Sequence, residues 1–352
     1  MKKKVLFFSL GLVGGAERQT ALISKMLDRE IFDVNFVLVR RSFLNDANSL
    51  ENFIPRGVKI INVAWKSQLK LFYDFFKILK FESPDVVFCS AMHLNLRLLI
   101  LSVLFPKCRF VIRNENYLYT ISDKKKFLMK IIYKLADKIV VQTDEMKSEI
   151  VGLGVKPEKV YMLQNAVDTD TIDEKLKDGN PYTTASRKFV ASGRFSRQKG
   201  FDVLVNAFKL VSDLYFDVEL YILGQKNGRC EEEYRRVEDI IKSNGLQDKV
   251  HCLGFQNNPY VYVNHADVFV LSSRNEGLPN VLIEALYMGV PVAATTCIPV
   301  IERIVNVGKN GFLAESENPV SLSKAMINAL ELKNIKSTYN SGSKDDFVSL
   351  FS

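Results

Sequence analysis

Short apolar runs alternate with longer amphipathic segments over most of the chain. A run of about four to eight apolar residues predicts a buried strand, and apolar residues spaced three and four positions apart predict a helix. In the first half the predicted strands are 4–9, 33–39, 59–63, 85–89, 110–113, 138–142 and 160–163, and the predicted helices are 17–27, 68–80, 94–104, 124–136 and 145–151. Because helices separate the strands, we expect a parallel sheet with both faces covered.

A polar stretch, residues 169–187, interrupts this alternation and favours an interdomain linker. The pattern restarts with predicted strands at 189–192, 218–223, 250–253, 268–271, 292–294 and 311–314, and with helices at 201–212, 231–243, 282–288 and 321–330. The predicted architecture is α/β, with two tandem doubly wound Rossmann-like domains, 1–168 and 188–333, facing a central cleft. The polar tail, 334–352, ends in a weak apolar cluster, which leaves open whether it packs back on the first domain. Ligands of such sheets bind beyond the carboxyl ends of the strands.

Positive charge is concentrated in the first half of the chain. The 352 residues include 48 Lys and Arg against 40 Asp and Glu; residues 1–170 hold 27 and 18 of these, and residues 171–352 hold 21 and 22. This asymmetry indicates different partners for the two domains, and the basic domain suits nucleic acid, a membrane surface or a phosphorylated substrate. The five cysteines are scattered and form no C-x-x-C pair, which indicates neither a disulfide framework nor a zinc site and fits a reducing compartment.

The N-terminal segment allows two interpretations. Three lysines followed by an apolar run are typical of a signal peptide. The glycine-rich turn at 11–15 and the amphipathic segment after it favour a strand, a turn and a helix instead. The longest apolar stretch, 98–105, is far below the roughly 18 residues that span a bilayer. We therefore predict a cytoplasmic protein.

The most specific motif spans residues 274–285, Arg-Asn-Glu-Gly-Leu-Pro-Asn-Val-Leu-Ile-Glu-Ala, directly after a predicted strand. A helix that begins near Pro279 presents free backbone N–H groups and a positive dipole end, which suit an anion such as a phosphate. Glu276 precedes this helix and Glu284 lies on its second turn, so two carboxylates are available to accept from hydroxyl groups. The alternative is a capped, solvated helix start with incidental glutamates.

Two further glycine-containing loops follow predicted strands. Residues 193–200 read Gly-Arg-Phe-Ser-Arg-Gln-Lys-Gly, in which Arg194 and Lys199 supply paired cations for a diphosphate. A basic surface loop is the alternative. Residues 14–18, Gly-Gly-Ala-Glu-Arg, resemble a phosphate loop but lack the G-x-G-x-x-G spacing, so a dinucleotide cofactor is not predicted.

Together with Asn-Ala-Val-Asp at 165–168, Gly-Val-Pro-Val at 289–292 and Asn-Gly-Phe-Leu at 310–313, these motifs resemble the retaining glycosyltransferases of family 4, which have the GT-B fold. The resemblance covers essentially the whole chain. It implies that Arg194 and Lys199 bind the diphosphate of a nucleotide-sugar donor and stabilise the charge that grows on it, that Glu276 holds hydroxyls of the sugar, and that Glu284 accepts from the ribose. The donor contacts that it implies are Gly14, Gly15, Arg194, Lys199, Glu276, Gly277, Leu278, Pro279, Asn280, Val281 and Glu284.

The resemblance also implies that the sugar keeps its configuration and that neither a metal nor another cofactor is required. We expect the catalytic set to be Glu276, Arg194, Lys199 and His93. Relatives often carry histidines after the fourth strand and after the next one; this chain keeps His93 at the first place and has Glu115 at the second, so which of the two is catalytic stays open. A D-x-D at 168–170 has no third ligand nearby, so a metal site is not predicted there.

Two basic amphipathic segments lie in the first half, residues 68–80 and 124–135, the second with five lysines. Such helices suit an anionic membrane surface. Alternatively, each apolar stripe packs on its own sheet and the lysines are solvated. The excess charge of the first half favours reversible contact with the inner face of the membrane and an acceptor linked to a polyprenyl diphosphate. A nucleic-acid partner is not predicted, because no recognition motif occurs.

The sequence therefore predicts a hexosyltransferase that moves a sugar from a nucleotide-sugar, expected to be UDP-linked, to a glycan or lipid-linked acceptor in cell-surface polysaccharide synthesis. Two alternatives stay open. The same fold could act on a small soluble sugar-phosphate acceptor, or the chain could be a non-catalytic subunit that binds a nucleotide-sugar. The motifs do not specify the sugar, the acceptor or the linkage.

Overall fold

The computed structural model of the chain describes residues 2–11, 14–40, 49–226, 228–332, 335 and 343–352. These residues form two compact units. The first unit contains the described residues up to Ala166 together with the last ten residues, and the second contains those from Val167 to Ile335. Each unit is built on one parallel sheet covered by helices.

The centre of the first unit is a seven-stranded sheet. Its strands are β1 (Lys3–Leu10), β2 (Phe32–Arg40), β3 (Lys59–Ala64), β4 (Val86–Cys89), β5 (Arg109–Arg113), β6 (Lys138–Val141) and β7 (Val160–Met162). Its first five helices are α1 (Gly15–Met26), α2 (Gln68–Glu82), α3 (Met92–Ser102), α4 (Asp123–Ile132) and α5 (Asp144–Gly152). The strands are ordered β3-β2-β1-β4-β5-β6-β7. The inner strands are continuous apolar runs because helices cover both faces of the sheet.

The second unit has a six-stranded parallel sheet. Its strands are β8 (Arg187–Ser192), β9 (Val218–Leu223), β10 (Val250–Gly254), β11 (Val268–Leu271), β12 (Val292–Thr295) and β13 (Gly311–Ala314). Its helices are α6 (Thr169–Lys175), α7 (Phe201–Leu214), α8 (Glu231–Ser243), α9 (Tyr260–Asn264), α10 (Asn280–Tyr287), α11 (Pro299–Ile304) and α12 (Pro319–Leu330). The strand order is β10-β9-β8-β11-β12-β13.

The predicted linker, residues 169–187, lies in the second unit and begins with a helix, α6. The Asp168 carboxylate caps this helix by accepting from the Thr171 backbone N–H at 3.4 Å, and Ile172 is fully buried. This helix was not predicted, because one buried side chain in seven residues gives no detectable hydrophobic period. The helices α9 and α11 were not predicted either, because five and six residues are too few to show a helical period.

The C-terminal residues pack on the first unit as a short helix, α13 (Lys344–Ser349), next to α1. Phe351 is fully buried, with its ring centroid 5.6 Å from the ring centroids of both Phe7 and Phe88. Arg109 donates to the backbone carbonyl of Phe351 at 3.0 Å. The weak apolar cluster of the tail is therefore part of the hydrophobic core of the first unit.

Both sheets have a point at which the strand order reverses, between β1 and β4 in the first unit and between β8 and β11 in the second. Loops that leave adjacent strands at such a point diverge to opposite faces of the sheet and open a crevice at the carboxyl ends. The predicted site loops at 14–18, 193–200 and 274–285 all follow these strands. None of the helices in the described part of the chain has the length and apolarity needed to cross a membrane.

Candidate active site

Two loops of the second unit, one after β8 and one after β11, are hydrogen-bonded to each other. The Ser272 hydroxyl donates to the Lys199 carbonyl, and the Arg274 backbone N–H donates to the Gln198 carbonyl, both at 2.8 Å. The Gln198 side-chain amide donates to the Asn275 carbonyl at 2.8 Å. Because these bonds join residues more than 70 positions apart, the two motifs form a single rim above the strand-order reversal.

Lys199 and Glu276 form an ion pair within this rim. Lys199 Nζ lies 2.5 Å from Glu276 Oε1, and the Ser273 hydroxyl donates to the same oxygen at 2.7 Å. Glu276 is only 9% exposed. Thr295 supports the arrangement from β12, because its hydroxyl donates to the Ser273 carbonyl at 2.6 Å. The ammonium group has three donors and uses one on Glu276, so two donors can face an anionic ligand.

Close backbone packing at the rim requires glycine at two positions. Gly200 has a φ of +63°, and a Cβ there would overlap the carbonyl oxygen of Ser272. A Cβ on Gly224 would overlap the carbonyl oxygen of Gly193, at the start of the β8 loop. Only glycine allows the backbones of neighbouring loops to approach this closely. The glycine at 224 was not among the predicted site residues, and its signal is its place directly after β9.

Arg274 and Asp202 clamp the rim from its outer side. The Arg274 guanidinium donates to both carboxylate oxygens of Asp202, at 2.8 and 2.9 Å, and to the Arg197 carbonyl at 2.8 Å. Arg236 donates to the same carboxylate at 2.9 Å. Burial alone would raise the pKa of Asp202, but the hydrogen bonds and charge of Arg274 outweigh it and hold the pKa below its ordinary value. The clamp is not apparent from the sequence, because both residues resemble solvated charges on a helix and a loop.

The predicted donor-binding segment leads into α10. Residues 277–279 precede the helix, Asn280 and Val281 begin it, and Glu284 lies half-buried on its second turn. Pro279 occupies the N-cap position, and its carbonyl accepts from the Leu282 backbone N–H at 3.1 Å. The positive end of the helix dipole therefore lies at this loop, which suits an anion. Arg194 is exposed at the start of the β8 loop. The structure thus places all of these residues at the carboxyl edge of one sheet.

The other predicted residues lie in the first unit, also at the carboxyl edge of its sheet. Gly14 is the N-cap of α1, and Gly15 is its first residue. His93 lies in the first turn of α3, after β4, and its ring packs on the ring of Trp65 with 5.2 Å between centroids. The Ser90 and Thr20 hydroxyls, 2.7 Å apart, connect the β4 loop to α1.

Glu115 belongs to a buried polar cluster after β5. Arg113 is fully buried, with one guanidinium nitrogen 2.9 Å from Glu115 Oε1 and another bonded to the Asn165 side chain. Burial raises the pKa of Glu115 to about 8; the charge of Arg113 opposes the shift, and that of Glu17 adds to it. The motif at 165–168 therefore contributes Asn165 to this cluster. Arg113 was missed as an anchor, although a charged residue ending an apolar strand is a usable signal.

The chain is similar to known glycosyltransferases over most of its length. Residues 13–171 match the profile described as Glycosyltransferase Family 4, and residues 172–345 match Glycosyl transferases group 1. An uncharacterized glycosyltransferase of Methanocaldococcus jannaschii is 30% identical over 78% of this chain and 71% of its own length. The N-acetylgalactosamine-N,N'-diacetylbacillosaminyl-diphospho-undecaprenol 4-alpha-N-acetylgalactosaminyltransferase of Campylobacter jejuni is 27% identical over 97% of this chain and 94% of its own.

Solved structures show the same fold. A glycosyltransferase from Rickettsia africae superimposes with a TM-score of 0.76 at 19% identity, covering 100% of this chain and 94% of that one. Anabaena HepE in complex with UDP and glucose superimposes with a TM-score of 0.74 at 17% identity, covering 94% and 90%. The chain therefore belongs to the group 1 and family 4 glycosyltransferases. It has their two Rossmann-like domains, as the sequence predicted.

Proposed function

We propose that this glycosyltransferase moves a hexose from a UDP-sugar to a glycan or lipid-linked acceptor, with retention of configuration and without a metal ion. The observation that carries the proposal is the Lys199–Glu276 ion pair, held in one rim by the loops after β8 and β11. The complex of HepE with UDP and glucose supports the donor class. The name of the Campylobacter relative, which specifies a diphospho-undecaprenol-linked acceptor, supports the acceptor class.

The positive groups at the rim would stabilise the negative charge that develops in the reaction. When the bond between the sugar and the diphosphate breaks, negative charge grows on the leaving phosphate. Preorganised cations aimed at that charge stabilise the transition state more than the ground state. Lys199 and Arg194, with the N–H groups at the start of α10, would supply this stabilisation. Their positive charge would neutralise the leaving phosphate, as a bound metal ion does in metal-dependent enzymes.

The carboxylates would orient the donor. Glu276 would accept hydrogen bonds from hydroxyls of the transferred sugar, and its ion pair with Lys199 would couple the sugar to the diphosphate. Glu284, on the second turn of α10, would accept from the ribose hydroxyls. Gly14 and Gly15 would allow close backbone approach to the donor phosphate, and His93 would contact the reacting sugar. Each of these roles is a proposal from the family resemblance and the positions of the residues.

The test is donor turnover by the purified protein. We expect release of UDP from one member of a UDP-hexose panel, increased by a polyprenyl-diphosphate-linked sugar. Lys199→Ala and Glu276→Gln should each lower kcat/KM about 10²–10³-fold. Lys209→Ala is the matched control, because Lys209 is a paired lysine on α7. Turnover by folded Lys199→Ala equal to that of the control would refute the site assignment.

Two further measurements test the finer parts of the proposal. The anomeric configuration of the product, determined by NMR, should equal that of the donor; an inverted product would contradict retention. Activity should survive dialysis against a chelator. Loss of activity that a divalent cation restores would contradict metal independence.

A further inference from the structure

The helix α4 has a buried apolar face and an exposed one. Met129 and Ile132 are its buried residues. Phe127, Leu128, Ile131 and Leu135, on α4 and the turn after it, are 64, 44, 54 and 42% exposed. These positions are spaced i, i+1, i+4 and i+8, which places them along one stripe of a helix. Burial inside the first unit therefore accounts for only part of the apolar side chains of this segment.

The neighbouring helix also ends in exposed apolar residues. The helix α3 packs beside α4. Val103 and Leu104, which follow α3, are 66 and 61% exposed. We call these two residues and the four of the α4 stripe the α3–α4 face; exposed apolar surface of this kind marks an interaction site.

Lysines surround the α3–α4 face. Lys124, Lys125, Lys130 and Lys134 are all exposed. The one acidic residue of α4, Asp123, lies 3.1 Å from Lys126 and is therefore already paired. The border of the α3–α4 face is strongly positive as a result.

Exposed apolar residues bordered by lysines favour a membrane over a protein as the partner of this face. The cores of protein–protein interfaces are depleted in lysine. An apolar stripe flanked by lysines is the pattern of a helix that lies in the interface of an anionic bilayer, with the apolar side chains among the acyl chains and the ammonium groups at the phosphates. Lysine also reaches the headgroups while its methylene stem stays at the apolar level.

We propose that the α3–α4 face binds the surface of an anionic phospholipid bilayer. The helix α4 begins at the carboxyl edge of the sheet, a few residues after Glu115. Binding through this face therefore places α4 along the bilayer and brings the first unit within reach of a lipid-linked acceptor. That consequence rests on the proposed function, whereas the binding itself does not.

The test is cosedimentation of the full chain with phospholipid vesicles. Wild type should bind vesicles containing about a third phosphatidylglycerol, should bind phosphatidylcholine vesicles much more weakly, and should dissociate as salt is raised. Phe127→Ser/Ile131→Ser should lower the affinity at least about tenfold, because it removes the largest apolar side chains from the face. The matched control is Leu214→Ser/Phe216→Ser, which removes two apolar residues that are 67 and 88% exposed in the second unit.

Equal binding by wild type and Phe127→Ser/Ile131→Ser, or equal losses in both double variants, would overturn the proposal. A dimeric wild type that becomes monomeric in Phe127→Ser/Ile131→Ser would also overturn it, since the face would then contact a second copy. Turnover of the UDP-sugar without lipid separates this test from that of the reaction. Vesicle binding without turnover would support this inference while the proposed reaction failed, and unchanged turnover in the variant would show that it is folded.

Discussion

The clamp between Arg274 and Asp202 gives the sharpest prediction for stability. Arg274→Met removes two hydrogen bonds to Asp202, one to the Arg197 carbonyl and an ion pair with Glu317 at 3.1 Å. The Arg274 and Asp202 side chains are 14% and 8% exposed. Removing one partner of a buried ion pair costs about 3–5 kcal/mol. Arg236 still neutralises Asp202 here, and Arg274 is not fully buried. We therefore expect a loss of about 2–3 kcal/mol from the second unit.

The single tryptophan of the chain makes this loss measurable unit by unit. Trp65 is the only tryptophan and lies in the first unit, so its fluorescence in urea reports the unfolding of that unit. Far-UV circular dichroism reports both units. Arg274→Met should move the dichroism transition to lower urea and leave the Trp65 transition in place. Equal shifts in both signals, or none in either, would refute the idea that the clamp acts locally.

The loss of stability caused by Arg274→Met should also depend on pH. The pKa of Asp202 lies below its ordinary value in the folded chain. Its ion pair therefore stabilises fully above the unfolded pKa, about 4, and the stabilisation is lost as the pH falls through the lower folded value. The difference between wild type and Arg274→Met should be constant near neutrality and shrink in acid. A difference that grows in acid would show that another group is responsible.

Two further predictions concern the first unit, and both use Trp65 fluorescence in urea. Phe351→Ala should destabilise this unit by about 3–5 kcal/mol, because the fully buried ring packs on Phe7 and Phe88. The control is Phe216→Ala, at a position that is 88% exposed. Equal losses of stability in the two variants would contradict the packing. Burial raises the pKa of Glu115 to about 8, so the folded state retains a proton that the unfolded state releases above about pH 4.3. The stability of wild type should therefore fall as the pH rises from about 4.3 to about 8, and that of Glu115→Gln should fall less. Parallel curves of stability against pH would contradict this.

Local pattern was sufficient for the repeating part of the fold. A strand of a parallel sheet is buried on both faces, so it is a continuous apolar run, and a crossover helix carries one apolar stripe. Both signals lie within a few consecutive residues, as in β11 (Val268–Leu271) and α7 (Phe201–Leu214). The same locality explains why the loops after β8 and β11 were found. Their glycines and charges directly follow an apolar run.

Contacts between distant segments were decided only by the tertiary structure. Lys199 and Glu276 are 77 residues apart and meet because β8 and β11 are neighbours in the sheet, an order that no local pattern encodes. Arg113 and Asn165 meet beyond the ends of β5 and β7, which lie on either side of β6.

The sequence also could not say which apolar side chains are buried. Phe351, in a polar tail, is in the core, whereas Phe127, in a strongly amphipathic helix, is exposed. By itself, the sequence determined the alternation of strands and helices, the family and the loops that follow the central strands. Tertiary packing decided which charges pair and which apolar faces stay open, because burial depends on neighbours distant in the chain.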